Sequence, residues 1–168
     1  EAFRNTDTAP FADLMLPAAT WGEKDGTVTN SERRISRVRP AVPAPGEARP
    51  DWRIACDFAR ALAPRIGKPQ AARMFDYAGP QAIFAEHAAS TIGRDLDIGG
   101  LDYGLLEAAG PQQWPFPAGA ALADAAARAR LFADGRFPTP SGRARFVVPA
   151  VAPGAAEVDA RHPLHLTS

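Results

Sequence analysis

The sequence predicts an α/β fold, and three observations support that class. The apolar run Asp13–Leu16 is typical of a buried strand, and it stops at Pro17, which has no N–H to donate within a sheet. Apolar residues recur at helical spacing between positions 51 and 109, which predicts helices. An alternating run at 143–148 predicts a later strand. With 168 residues, 46% of them apolar, the chain is large enough for a packed core.

A polar, extended segment follows the first predicted strand. Turn-forming residues around Gly22 and Gly26 lead into a short polar strand at 27–30, and residues 27–39 as a whole are expected to be extended and partly buried. The strong apolar anchors of this stretch are Val28, Ile35 and Val38. Pro40, Pro43 and Pro45 predict that residues 40–50 cross the fold as an extended segment without regular structure.

The clearest helix is predicted over residues 51–63, with Asp51 as its N-cap and with Pro64 and Gly67 ending it. Its apolar stripe is expected to face the core. That stripe consists of Trp52, Ala55, Phe58, Ala59 and Leu62.

Two shorter helices are predicted further along. One covers Pro80–Ser90, with inward side chains at Ile83, Phe84 and Ala88. The other runs over 102–109 with Asp102 as its cap, and it stops at Gly110. The alanine-rich stretch 118–130 has high helix propensity but few large apolar groups, so it is either a helix or a flexible insertion.

The end of the chain is predicted to turn to β structure. A tight turn at 139–142 precedes the strand at 143–148, residues 149–161 form a surface linker, and 164–167 begin another strand.

Composition excludes several classes of function. The chain has 19 basic and 19 acidic residues, and this balance disfavours nucleic acid or an anionic membrane as the main partner. No apolar run reaches the length of a membrane span. Cys56 is the single cysteine, which excludes an internal disulfide and a cysteine-based metal or cluster site, and makes the cytoplasm the expected location. Because the chain starts at Glu1 rather than Met, we expect a fragment or a processed product.

A polar cluster at 23–34 is the first candidate site. Its arginines offer planar donors for phosphate or carboxylate, and Asn30 offers a short hydrogen-bonding side chain. Two interpretations stay open, namely a wall beside a polar ligand, or a brace in which Glu32 pairs with an arginine and Asn30 bonds the loop backbone. The cluster consists of Glu23, Asp25, Asn30, Glu32, Arg33 and Arg34.

The segment GPQQWPFP at 110–117 is the second candidate. Gln112 and Gln113 have the groups to hydrogen-bond a ligand, and Trp114 has the ring to stack on one. We favour a hydrophobic plug, in which Trp114 pins the loop to the core. His87, His162 and His165 are scattered without metal-ligand spacing, and no serine nucleophile or phosphate-loop motif occurs.

Five segments in order resemble the molybdopterin oxidoreductases, and among them the assimilatory nitrate reductases. They are LPAATWGEKDGTVTNSERRISRVR (16–39), PGEARPDW (45–52), GPQQWPFP (110–117), DGRFPTPSGRARF (134–146) and HPLHLTS (162–168). The resemblance covers most of the chain and is weakest at 65–95 and 118–130.

This resemblance implies part of a central αβα domain, with a helical, loop-rich insertion and a C-terminal linker towards a β-barrel domain that the chain does not contain. Residues 1–40 would be the end of the α/β cofactor-proximal domain. Residues 41–132 would be the helical, loop-rich segment, and residues 133–168 the β-rich linker.

It also implies a parent enzyme that reduces nitrate to nitrite with bis-molybdopterin guanine dinucleotide and a 4Fe-4S iron–sulfur cluster. The reactive metal and its ligands would lie outside these residues, so no catalytic or metal-binding residue is assigned, and the isolated chain is expected to be inactive and without cofactor. Asn30 and Arg34 are the candidate cofactor-binding residues. The implied partners are the remaining domains and an electron-donor protein.

Two alternatives stay open. The same region of a formate dehydrogenase-like molybdopterin enzyme has related motifs. A non-catalytic module that binds a partner protein would use the proline-rich crossing 40–50 and the alanine-rich stretch. A longer reading frame with upstream cysteines at cluster spacing would exclude that module.

Overall fold

The computed structural model describes residues 3–124, 130–149, 160–161 and 163. The chain divides into two compact units, residues 1–131 and residues 132–168. The first unit contains every helix and strand of the described residues, arranged as a mixed α/β fold.

A small antiparallel sheet lies in the first unit. Strand β1 (Gly26–Thr29) pairs with β2 (Arg34–Val38), and β2 also pairs with the two-residue strand β3 (Gln112–Gln113). In this register Thr29 faces Ile35, which in turn faces Gln112 on β3. The segment 27–39, predicted to be extended, is extended in these two strands and interrupted by a turn between them, so that it forms a hairpin.

Three α-helices accompany the sheet, namely α1 (Asp51–Arg65), α2 (Pro80–Ser90) and α3 (Tyr103–Ala109). The prediction for α2 is confirmed at both ends. α3 begins one residue late because Asp102 is its N-cap, where the carboxylate accepts a 2.7 Å hydrogen bond from the N–H of Leu105. Short 3-10 helices cover Ala9–Phe11, Trp21–Glu23, Pro69–Phe75 and Leu122–Asp124.

One apolar cluster forms the core, between β2, α2, α3 and the loops beside α3. Phe116 is its most buried member, with 2% of its surface exposed. Thr91 is the polar residue that ties a neighbouring loop to it, since its hydroxyl donates to the carbonyl of Ala88 and accepts from the N–H of Ile98. The cluster comprises Ile35, Phe84, Ala88, Ile98, Leu101, Tyr103, Leu106 and Phe116.

Helix α1 corrects three expectations. Pro50 occupies the N-cap and Asp51 is the first helical residue, while Pro64 lies inside the last turn rather than ending the helix. The predicted stripe is only partly inward, because the buried residues are Cys56 and Ala63. Phe58 and Leu62 of the stripe are exposed. The helix is buried along the line of Cys56 and Ala63, and the side chains of Phe58 and Leu62 lie beside that line in solvent.

The strand predicted at Asp13–Leu16 is wrong. The backbone there forms no ladder, and Leu14 is 68% exposed. Pairing is limited to a single parallel bridge between Ala18 and Arg49, in which the N–H of Ala19 donates to the Arg49 carbonyl at 2.9 Å. An apolar run alone does not specify a strand, because a strand forms only where a neighbouring segment pairs with it.

The second unit is described by itself. The predicted turn at 139–142 is confirmed by the 2.9 Å bond from the N–H of Gly142 to the carbonyl of Thr139. The strand predicted at 143–148 is wrong, because these residues pair with no strand in the described part of the chain, and Phe146 is 92% exposed.

Two further expectations fall partly or wholly outside the described residues. The alanine-rich stretch forms a 3-10 turn over Leu122–Asp124, and positions 125–129 lie outside the description. So does the strand predicted at 164–167. Among the described residues, no helix has both the length and the hydropathy to cross a membrane.

Candidate functional site

The turn that joins β1 to β2 is built by Asn30. Its side-chain oxygen accepts the N–H of Arg34 at 3.0 Å, its carbonyl accepts the N–H of Arg33 at 3.0 Å, and its own N–H donates to the Arg34 carbonyl at 3.1 Å. Arg33 adopts a positive φ of 66°, which a tight hairpin turn requires. An asparagine that bonds its neighbouring backbone stabilises such a turn.

Arg34 and Glu32 form an exposed ion pair on this turn, with 3.2 Å between Nε of the arginine and the carboxylate. Both side chains are largely in solvent, at 47% and 69% exposure. Because such a pair contributes little free energy, it leaves Arg34 able to bind another anion. The contacts of Asn30 and Arg34 match the brace interpretation, and their cofactor role stays a prediction.

The structure brings this turn together with the second candidate segment. Arg34 pairs with Gln113, and the N–H of Trp114 donates to the Arg33 carbonyl at 3.0 Å. The Arg33 guanidinium lies 5.3 Å from the centre of the Trp114 ring and donates to the Trp114 carbonyl. We call this surface the turn edge; its residues are Asn30, Glu32, Arg33, Arg34, Gln113 and Trp114.

The segment 110–117 is anchored to the core by two aromatic residues, the expected Trp114 and, more deeply, Phe116. Trp114 packs half-buried against the core, whereas Phe116 is the deeply buried plug. Its carbonyl accepts the N–H of Gly100 at 2.9 Å. Gln112 is buried, and its amide donates to the carbonyls of Ala109 and Gly110, so its side-chain amide is used in ending α3 rather than in facing solvent.

The other end of the hairpin holds a buried cation that the sequence analysis missed. Arg37 is 9% exposed and forms ion pairs with Asp25 at 2.8 Å and Glu107 at 2.9 Å. Its guanidinium lies 3.6 Å from the centre of the Tyr103 ring. The available signal was its position two residues after Ile35, because alternate strand residues share a face.

The pKa of Tyr103 is raised above its ordinary value of 10.0, first by burial and then by the charge of Asp25, while Arg37 acts in the opposite direction. Its hydroxyl is buried and has no hydrogen-bond partner among the described residues. The folded state therefore favours the neutral phenol over the phenolate.

A cleft of about 350 Å³ opens beside this network. Its walls include Trp21, Trp52 and Phe84. Lys24 at its edge lies 4.8 Å from the centre of the Trp21 ring and pairs with Asp51 at 2.9 Å, which lowers the pKa of that carboxyl. Lys24 is thus neutralised by Asp51, and the lining of the cleft is mainly apolar.

The other reactive side chains that the structure describes form no cluster. Cys56 is a free, buried thiol on α1, as expected for a small core residue, and His87 is exposed on α2. Within the described ranges, no three His, Cys, Asp or Glu side chains are placed to hold a metal ion. His162 and His165 lie outside those ranges.

Comparison with known proteins places these segments in a family. Residues 1–61 match the family model described as molybdopterin oxidoreductase. The whole chain is 37% identical to a nitrate reductase from Synechocystis sp. and 41% identical to an assimilatory nitrate reductase from Haloferax mediterranei. About half of it, 83 residues, is 51% identical to the alpha subunit of F420-dependent formate dehydrogenase 2 from Methanococcus maripaludis.

The chain spans only 22% and 23% of the length of the two nitrate reductases, and 11% of the formate dehydrogenase subunit. The match to the family model covers the hairpin and most of α1, and the nitrate reductase matches extend over the full 168 residues. The chain belongs to the molybdopterin oxidoreductase family.

Proposed function

We propose that this chain is a segment of the catalytic subunit of a molybdenum-dependent nitrate reductase, which reduces nitrate to nitrite. The names of the relatives that match 97% to 100% of the chain support this assignment. The structural observation that carries a cofactor-proximal role is the turn edge, where two family-like motifs far apart in sequence meet at residues Arg34 and Gln113.

The donors of the turn edge fit a molybdopterin cofactor. Arg34 uses Nε in its exposed pair with Glu32, which leaves its terminal guanidinium nitrogens to donate to a ligand. Asn30 uses its side-chain oxygen in the turn, which leaves its amide N–H groups to donate. Phosphate and pterin edges are rich in acceptors for such groups. When bound, the cofactor would supply the redox chemistry. Asn30 and Arg34 would bind and orient it.

Further parts of this proposal concern the whole enzyme. They are the guanine dinucleotide form of the cofactor, the iron–sulfur cluster, the αβα and barrel domains around this segment, an electron-donor protein, and a cytoplasmic location. The extent of the relatives beyond this segment supports the additional domains.

The test uses the full-length protein that carries these residues. We expect bound molybdenum by elemental analysis and nitrate-dependent oxidation of reduced viologen. Arg34→Ala should lower the molybdenum content, whereas Glu32→Gln should preserve it, because that variant breaks the ion pair but keeps the guanidinium. Equal losses in both variants would show that Arg34 is only a brace, and absence of molybdenum from the wild-type protein would overturn the function.

Asn30 is tested in the same way. Asn30→Asp keeps the acceptor for the Arg34 N–H and removes the amide donors. We expect it to lower molybdenum content while the hairpin persists, which hydrogen exchange of the Arg34 N–H would report. Normal content in Asn30→Asp would remove this residue from the site.

Formate oxidation is the second candidate activity, because about half of the chain is 42% to 51% identical to formate dehydrogenase subunits, over 86 and 83 residues. The same preparation would be assayed for formate-dependent reduction of viologen. Activity with formate and none with nitrate would replace the first proposal by this one.

A further inference from the structure

An apolar row on α1 remains on the surface of the described residues. Phe58 and Leu62 are four residues apart and lie on one side of the helix, and Ile66, the residue that caps its C-terminal end, follows after four more. Their exposed fractions are 57%, 37% and 56%. We call these three residues the α1 stripe. Its length is about 12 Å at 1.5 Å per residue, which is long enough to seat against a second helix or strand.

The opposite side of the same helix has a partner already. Cys56 and Ala63 are buried there, and the 3-10 helix Pro69–Phe75 packs against α1. Met74 of that 3-10 helix is 69% exposed and adds to the exposed apolar surface of this segment. The stripe is therefore an additional apolar face, beyond the one that the fold uses.

The charges within positions 58–75 have one sign, although Asp57 and Asp76 flank the segment and Asp76 pairs with Arg60 at 3.8 Å. Between positions 58 and 75 there are four basic residues and no acidic residue. The basic side chains are all exposed and are Arg60, Arg65, Lys68 and Arg73. A complementary surface would be apolar at its centre and acidic at its rim.

Charge also decides against a second copy of this chain. A two-fold contact through the stripe would set these four cations against the same four cations, and like charges at an interface are unfavourable. The relatives that match this chain, by contrast, are more than four times as long as the matched part, which is 22% of one of them.

We propose that the α1 stripe is an internal interface of the parent enzyme, covered by an apolar, acid-rimmed face of the same polypeptide that lies outside these 168 residues. This inference rests on the proposed function, in which the chain is a segment of a larger subunit. The basic residues beside the stripe orient that face, and the three apolar side chains anchor it.

Cross-linking of the full-length wild-type protein identifies the occupant without any substitution. A carbodiimide joins a lysine to a carboxylate in contact with it, and Lys68 is the one lysine in this segment. We expect a cross-link within one polypeptide, from Lys68 to an Asp or Glu outside the 168 residues. Cross-links confined to the 168 residues, or joining two polypeptides, would overturn the proposal.

Two matched variants test the energetics. Ile66→Glu places a charge in the stripe, and Ile92→Glu makes the same change at a residue of similar exposure, 62%, outside it. By hydrogen exchange we expect the peptide 58–66 to exchange about tenfold faster in Ile66→Glu, because burying a charge weakens the contact. The same peptide should be unchanged in Ile92→Glu.

Equal exchange in the two variants would overturn the interface. If Ile66→Glu does not yield folded protein, Ile66→Ala, which shortens the side chain without adding charge, gives the same comparison against Ile92→Ala. Molybdenum analysis of the wild-type sample separates the two failures. Bound molybdenum without the expected cross-link would contradict this inference alone, whereas a wild-type protein without molybdenum would contradict the proposed function.

Discussion

The guanidinium of Arg37 lies 3.6 Å from the centre of the Tyr103 ring, so the hairpin and helix α3 are joined by a buried cation stacked on a phenol. The same guanidinium pairs with Asp25 and with Glu107 of α3. Arginine suits this position, because its planar fork donates in two directions while its face contacts an aromatic ring. Arg37 thereby fixes the base of the hairpin whose other end carries the turn edge.

Replacing Arg37 should destabilise the fold strongly. We expect Arg37→Met to lower the free energy of unfolding by about 1–3 kcal/mol, because Asp25 loses its partner and Tyr103 its stacked cation, while Glu107 keeps Arg39. Arg39→Met is the control, since Arg39 also contacts Glu107 but is 58% exposed, and it should cost under about 1 kcal/mol. Urea unfolding of both variants measures the difference. Equal losses would mean that Arg37 is no more than a surface charge.

The raised pKa of Tyr103 predicts a loss of stability in alkali. The folded state holds this proton more tightly than the unfolded state, so the contribution of Tyr103 is constant below about pH 9 and falls as the pH passes the ordinary value of 10.0. The unfolding free energy of the wild type should therefore fall relative to that of Tyr103→Phe above pH 10. Parallel curves up to pH 11 would contradict the assignment.

Asp102 should stabilise α3 as its N-cap. Asp102→Ala removes the acceptor for the N–H of Leu105 and is expected to cost about 1 kcal/mol. Asp95→Ala changes an exposed aspartate outside any helix and should stay within about 0.5 kcal/mol of the wild type. Chemical unfolding monitored by circular dichroism compares them, and the expectation fails if the two variants are indistinguishable.

Gly100 is required where the segment 110–117 crosses the core. A Cβ at this position would lie 2.4 Å from the carbonyl oxygen of Pro117 and 2.9 Å from that of Phe116, so backbone would have to move. We expect Gly100→Ala to cost about 2 kcal/mol or more. Gly22→Ala meets no atom within 4 Å and should be close to neutral. A thermal shift assay ranks the two, and a neutral Gly100→Ala would show that the segment is loosely held.

The helices were predictable because their signals are local. Asp102 and Gly110 mark the ends of α3, and Pro80 marks the start of α2, all within a few residues of the helix itself. Strands depend on a partner elsewhere in the chain. The apolar residues Leu14 and Phe146 sit in segments that pair with no strand in the described ranges, whereas the polar pair Gln112–Gln113 forms a strand because β2 lies beside it.

The candidate site was likewise predictable where its contacts are local in sequence and not where they join distant segments. Asn30 and Arg34 were singled out from residue type, and the turn they form depends only on neighbours in sequence. The contact of Arg33 with Trp114, and the burial of Arg37, depend on packing that no local pattern reports. A charged residue on the inward face of a short strand contradicts the usual rule that such positions are apolar, which is why Arg37 went unnoticed.

Arg33 and Trp114 are separated by 81 residues, yet each donates to the other's backbone. Contacts of such high contact order form late, since the chain must first close a long loop whose entropy cost only the docked helices offset. The contact between Arg33 and Trp114 should therefore form late in folding, after the local turn around Asn30.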